Sequence, residues 1–166
     1  FYKPVELKTI LTRSAKMLGV PADEDALELM ADRSRGTPRV ANRLLRRARD
    51  YAQVRSNGHL TVKVTDMALE ILQIDTLGMD DLDRAYLRTL IVTYECGPVG
   101  VEALAAAMGQ ERDTLEDVVE PYLLQIGFVL RTRQGRCASR SACNHMKLPY
   151  KAPRAGPEDA PTLFEQ

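Results

Sequence analysis

The sequence predicts a mainly α-helical chain made of two helical modules, the second of which ends in a β-hairpin. Three observations carry this. Four segments between residues 5 and 74 place apolar residues three and four apart, the period of a helix with one buried face. A composition change at "DTLGMDD" (75–81) is followed by helix, short helix and helix up to residue 128. Residues 128–139 then switch to strand-forming residues around Gln134-Gly135.

The elements follow in order. "VELKTILTRSAKML" (5–18) has helical spacing, with Pro4 suited to a first turn and Gly19 as the stop. "PADEDALELMADRS" (21–34) is a second helix, its acids Asp23, Glu24 and Asp25 placed where the helix dipole favours them. "TPRVANRLLRRARDYAQVR" (37–55) is a third, with Val40, Ala41, Leu44, Leu45, Ala48 and Ala52 on one stripe. Asn57-Gly58 marks a turn, and Thr65 is the expected cap of a short fourth helix over 66–74.

The segment 75–81 reads as a hinge. Beyond it, "LDRAYLRTLIVTYE" (82–95) is a helix, and "GPVGVEALAAAMG" (97–109) is a turn and short helix closed by Gly109. "ERDTLEDVVEPYLLQIGF" (111–128) is a longer helix with Pro121 inside it, where a proline removes a hydrogen bond and kinks the chain. The order helix, short helix, helix, hairpin is that of a winged helix, a helix-turn-helix variant with a flanking wing. "KAPRAGPEDAPTLFEQ" (151–166) is proline-rich and poor in apolar residues, and is expected to be a disordered tail. The expected domains are therefore 1–76, 77–150 and the tail 151–166.

Composition narrows the function. The chain has 166 residues, 45% hydrophobic and 28% charged, a globular profile, with Lys+Arg and Asp+Glu both at 23 and a net charge of zero. Residues 1–78 hold 13 bases against 10 acids, and 79–150 hold 8 against 10, yet 121–150 contains five bases and no acid. Such a local basic segment binds a polyanion even in a neutral chain. No apolar run approaches the ~20 residues of a membrane span, and the opening "FYKPVELK" is not expected to act as a signal peptide, so no membrane partner is expected. The chain begins "FYKPVELK", without an initiator methionine, and reads as a fragment or a processed chain. Three irregularly spaced cysteines, Cys96, Cys137 and Cys143, fit a reducing compartment better than a disulfide framework. Cys137, Cys143 and His145 lack a fourth ligand and a usual zinc spacing, so no metal site is assigned. Phosphate-loop, dinucleotide, metalloprotease and nucleophile-elbow motifs are all missing. The carboxylates read as exposed helix faces, so no catalytic residue is assigned.

Two places invite an anion. Thr37 as N-cap and Pro38 at the first helical position put Arg39 in the first turn of the third helix, where a cation is mildly disfavoured. A bound phosphate would satisfy both the guanidinium and the free N–H groups. The alternative is an ion pair with Asp32 or another acid, or a solvated side chain. At the wing, Arg131, Arg133 and Arg136 crowd a tight hairpin. Either Arg133 or Arg131 faces Arg136, depending on register, and like charges across strands are destabilising without a partner. Phosphate oxygens would relieve that repulsion.

At "RSRGTPRVANRLLRRARDYAQVR", "GPVGVEALAAAMG" and "ERDTLEDVVEPYLLQIGF" the chain closely resembles the RuvB family of bacterial Holliday-junction branch-migration motors, collinearly over roughly residues 1–148. The part resembled is the C-terminal half: the small helical lid of an AAA+ module, then a winged-helix domain. The resemblance implies that Arg39 is the sensor-2 arginine and Tyr2 a nucleotide-contacting tyrosine, both toward ATP. It implies that Arg112, Arg131 and Arg136 contact DNA. It further implies a bacterial cytoplasmic ATPase and helicase that forms hexameric rings on duplex DNA at Holliday junctions and works with RuvA and RuvC. ATP hydrolysis, with its magnesium, would belong to an N-terminal domain carrying the Walker motifs, so the fragment alone is expected to be inactive. The chain departs from the family in places. The wing reads "RTRQGR" where "RTPRGR" is common, Cys96 replaces a usual glycine, and "RCASRSACNHMKL" replaces a segment like "RVATPRAYRHLGL". Rival readings are a winged-helix transcription regulator with a helical partner-binding domain, which would read base edges, and a replication initiator of the same architecture.

Overall fold

The computed structural model describes residues 1–152, so nearly all of the expected tail lies outside the described residues. The chain forms two compact units, Phe1–Asp81 and the part from Leu82 onward.

The first unit is a cluster of four helices. Helix α1 (Pro4–Met17) opens with Pro4 at its first position, and the Glu6 carboxylate accepts the Lys3 N–H at 2.8 Å. Leu7, Leu11 and Ala15, four apart, are its buried face. Helix α2 (Glu24–Asp32) buries Ala26, Leu27, Met30 and Ala31. Helix α3 (Pro38–Arg55) buries Ala41, Leu44, Leu45, Ala48 and Ala52, and helix α4 (Val62–Ile71) buries Ala68 and Leu69. The leucines and Met30 supply the apolar area, each fully buried side chain contributing about 1.5–3 kcal/mol. The alanines of α3 let its neighbours approach closely.

Two helix starts in this unit lie well away from the sequence expectation. Helix α2 starts at Glu24, because Pro21–Asp23 is extended: the Leu60 N–H donates to the Pro21 carbonyl and the Asp23 N–H to the Leu60 carbonyl, both at 2.9 Å. Helix α4 starts at Val62, capped by Thr61, whose hydroxyl accepts the Val64 N–H at 3.3 Å. Thr65, the expected cap, is instead fully buried in the helix. The β-branched residues of "TVKVT" mask this start, since they favour helix weakly until tertiary packing decides.

The segment after α4 is tied down. The Asp75 carboxylate accepts the N–H groups of Leu77 and Met79 at 2.9 and 2.8 Å. Gly78 lies at φ +80° against the Arg33 backbone, where a Cβ would fall 2.4 Å from the Arg33 carbonyl oxygen. Only glycine fits that approach.

In the second unit, α5 (Asp81–Arg88) runs into a π-helical turn at Thr89–Thr93. Helix α6 (Val101–Met108) is closed by Gly109 in the left-handed conformation. The expected long third helix is α7 (Arg112–Thr114), a π-helical turn at Leu115–Val119, and α8 (Glu120–Gln125). Pro121 accounts for the interruption. It lacks an N–H and crowds the carbonyl four residues back, and the widened turn, in which the Glu120 N–H reaches the Leu115 carbonyl, makes room for it. Strands β1 (Val129–Thr132) and β2 (Gly135–Ala138) form the hairpin, with Arg131 opposite Arg136. Val99 bridges Arg136 from the other side, its carbonyl accepting the Arg136 N–H at 2.8 Å. A last helix, α9 (Arg140–Met146), has no counterpart in the sequence reading. Ser139 caps it, accepting the Ala142 N–H at 3.2 Å, and Ala142 and Cys143 are its buried face. Helices and wing together make the mainly α fold of a helical lid and a winged helix.

Candidate functional sites of the two units

In the first unit the site is built at the start of α3. Thr37 caps the helix, its hydroxyl accepting the Val40 N–H at 3.4 Å, and Pro38 occupies the first helical position. Arg39 follows, exposed and without a hydrogen bond or ion pair to any described residue. The alternative pairing with Asp32 does not form. The N-terminal strand of chain lies alongside: the Tyr2 N–H donates to the Gly36 carbonyl at 2.8 Å, and Tyr2 is 50% exposed. The backbone thus brings Tyr2 beside the loop that launches Arg39.

Sequence reasoning missed the arginine that holds this loop. Arg35 is buried, its Nε donates to the Gly78 carbonyl at 2.7 Å, and its Nη2 lies 3.2 Å from the Asp80 carboxylate. Of the two arginines flanking Gly36-Thr37-Pro38, one is consumed in fixing the loop and the other projects from it. The loop itself is left-handed at Arg35, φ 54°, which nothing in the "RSRGTPR" pattern distinguishes from an ordinary turn.

In the second unit Arg112, Arg131 and Arg136 are not free. Arg131 donates from Nε to Glu120 Oε2 at 3.0 Å, and its Nη2 bonds the same oxygen. Arg136 donates from Nε to Glu120 Oε1 at 3.0 Å and from Nη2 to Glu116 Oε1 at 2.6 Å. The Tyr86 hydroxyl donates to Glu120 Oε1 at 2.9 Å. Arg112 closes the series, with Nε on Glu116 Oε2 at 2.8 Å and Nη1 on Glu102 Oε1 at 2.9 Å. The like charges across the hairpin are therefore neutralised from within the domain, by carboxylates of the turn before Pro121. The reading of every carboxylate as an exposed helix face is corrected here: Glu120 is 0% exposed.

The electrostatics agree. Burial and the neighbouring Glu120 carboxylate push the Tyr86 hydroxyl well above its ordinary range, so it stays a donor. The hydrogen bond from Arg112, helped by Arg136, holds Glu116 below the usual carboxylate value against its partial burial. Burial disfavours the Arg136 charge, but its hydrogen bonds to Glu120 and Glu116 prevail. Exposure separates the three arginines. The side chains of Arg131 and Arg112 are 49% and 52% exposed, and that of Arg136 is 16%. Arg133, at the hairpin turn, is exposed with no partner among the described residues.

The cysteines lie elsewhere in this unit. Cys96, Cys137 and Cys143 are buried free thiols, and the sulfurs of Cys96 and Cys143 are 3.6 Å apart. The His145 ring leans on Phe128, centroids 5.4 Å apart. Among the described residues no group of three or more His, Cys, Asp or Glu is arranged to hold a metal ion.

Comparison with known proteins places both units. The family model for the RuvB AAA lid domain matches residues 2–75, and that for the RuvB C-terminal winged helix domain matches residues 76–147. The Holliday junction branch migration complex subunit RuvB of Dehalococcoides mccartyi (strain CBDB1) is 52% identical over 151 residues, covering 91% of this chain and 43% of that protein. The RuvB subunit of Kosmotoga olearia is 53% identical over 148 residues, 89% of this chain and 43% of its own length. The structure of the Thermotoga maritima RuvB Holliday junction branch migration motor superposes with a TM-score of 0.86 at 44% identity, over 91% of this chain and 51% of that one. The chain thus spans about half the length of the relatives it matches. With residues 2–147 matched by the two family models, and in sequence as well as fold, the chain belongs to the RuvB family.

Proposed function

We propose that this chain is the lid and DNA-binding part of an ATP-driven motor that moves Holliday junctions in recombination and repair. The observation that carries the reading is the contrast at α3. Arg35 is spent on the loop, whereas Arg39 stands exposed in a first turn with no described acid beside it. A cation placed against the helix dipole is stabilised by an anion that meets both the guanidinium and the free N–H groups. The residues fit a nucleotide phosphate: Arg39 would hold it, and Tyr2, bonded to Gly36, would lie beside it. ATP supplies the free energy of phosphoanhydride hydrolysis, with magnesium held by residues outside this chain. The chain's own task is to sense the phosphate. It is not expected to hydrolyse ATP by itself.

The winged helix would grip duplex backbone through Arg112, Arg131 and Arg136. In the whole protein we place it in a homo-hexameric ring on duplex DNA, docked with RuvA at the junction and working with RuvC, in the bacterial cytoplasm. No described helix is long and apolar enough to cross a membrane.

Two measurements test the reading. Arg39→Ala, in the protein that carries its nucleotide-binding half, should abolish most ATP turnover while DNA binding persists; normal turnover removes the sensor role. Duplex binding by this chain should vary little with sequence and weaken with salt, log K falling by about 0.9 per phosphate neutralised. A preference of ~10³-fold for one operator-like sequence would favour a transcription regulator instead.

A further inference from the structure

We infer that Glu120 is a positioning residue for the DNA contact, holding the wing arginines by one edge so that their other edge is available to a phosphate. This rests on the DNA reading above and adds a residue to it. An arginine has five N–H donors in a planar fork. Glu120 takes only the Nε and Nη2 side of Arg131, through Oε2. Arg131 Nη1 has no partner among the described residues, and half of this side chain is exposed. Arg136 is held in the same manner, Nε on Glu120 Oε1 and Nη2 on Glu116, again leaving Nη1.

The carboxylate is itself fixed. It is fully buried at the first residue of α8, and the Tyr86 hydroxyl from α5 donates to its Oε1. One buried group thus joins α5, α8 and both strands of the wing. It also removes the repulsion that would otherwise splay two opposed guanidiniums. A guanidinium whose orientation is already set loses little freedom when it meets a phosphate. Carboxylate and phosphate therefore do not compete for the same donors: Glu120 takes the inner edge, and DNA would take the outer.

The test is a double-mutant cycle on duplex-DNA affinity, read by fluorescence anisotropy of a labelled duplex with the whole chain. Arg131→Ala should weaken binding. Glu120→Gln should weaken it about fivefold when Arg131 is present and less than twofold when Arg131 is already alanine, because the two act as one unit. Arg131→Lys, which keeps the charge but loses the fork and leaves Glu120 in place, should bind nearly as poorly as Arg131→Ala. This variant keeps the test decisive even where Glu120→Gln disturbs folding. Equal costs of Glu120→Gln in both backgrounds, tighter binding by Glu120→Gln, or wild-type affinity in Arg131→Lys would overturn the positioning role. Unchanged binding by Arg131→Ala would instead overturn the wing contact on which it depends.

Discussion

Arg131 and Arg136 face each other across the hairpin, and both donate to one buried carboxylate, Glu120: Arg131 to Oε2, and Arg136 to Oε1 with a longer bond to Oε2 at 3.4 Å. Two cations that repel in isolation become a closed arrangement with a third charge between them. Removing that charge alone leaves the Arg131 guanidinium and the Tyr86 hydroxyl without their acceptor, and Arg136 with Glu116 alone. Glu120→Ala should therefore destabilise the winged helix by about 2–4 kcal/mol, discounted for the half-exposed Arg131. Thermal unfolding of the second unit followed by circular dichroism checks this. Replacing Glu120, Arg131 and Arg136 together by apolar residues of similar size, with Tyr86→Phe, should recover most of the loss, since no charge or buried hydroxyl is then left unpaired.

The two arginines flanking the α3 cap should separate in the same kind of experiment. Arg35 is buried and bonded to the Gly78 carbonyl and near Asp80. Arg35→Ala removes a donor to an inward-facing carbonyl, and should cost about 1–3 kcal/mol of stability in the first unit. Arg39 is exposed and touches no described acid. Arg39→Ala should change stability by less than about 0.5 kcal/mol. Equal losses for the pair would mean that Arg39 is part of the loop's support and not held ready for a ligand.

That contrast marks how far the sequence could be read. Helix α3 was legible to within a residue because Thr37, Pro38 and the 41-44-45-48-52 stripe are local signals. The start of α4 was not, because Thr61 and Thr65 are equally good caps by type and only packing selects Thr61. Helix α9 was hidden by a short polar stretch whose buried face is just Ala142 and Cys143. Glu120 was hidden for a different reason. Its partners lie 11, 16 and 34 residues away, so no helical period records them. A signal was nonetheless present: opposed wing arginines need an anion, and Glu116 and Glu120 stand four apart on the preceding helical segment.

Acid should loosen the second unit. Glu116 has its folded pKa held below the ordinary 4.5 by the hydrogen bond from Arg112, with Arg136 adding to it. A carboxylate whose folded pKa is depressed contributes stability that is present above its unfolded pKa and is lost as pH falls through the folded one. Unfolding monitored between pH 6 and pH 3 should show the winged helix losing stability below about pH 4.5. Glu116→Gln should flatten that slope; an unchanged slope would assign the acid sensitivity to other carboxylates.

The buried thiols set the opposite limit. Burial and the neighbouring Cys96 sulfur push the Cys143 thiol up to about 11 from an ordinary 9.0, and burial raises Cys137 as well. The thiolate is the reactive form, and the fold disfavours it. Alkylation by iodoacetamide at neutral pH should therefore be slow in the folded chain and fast in denaturant. The sign of the pH effect follows from proton binding. Between pH 9 and 11 the unfolded chain loses the Cys143 proton and the folded chain keeps it, so stability falls as pH rises through that window. Cys143→Ala should remove this part of the alkaline loss, although the cavity it leaves lowers stability at every pH. If the native protein instead reacts at pH 7 as fast as a free thiol does, Cys143 is reached by water through opening of α9, and its burial beside Cys96 is not maintained in solution.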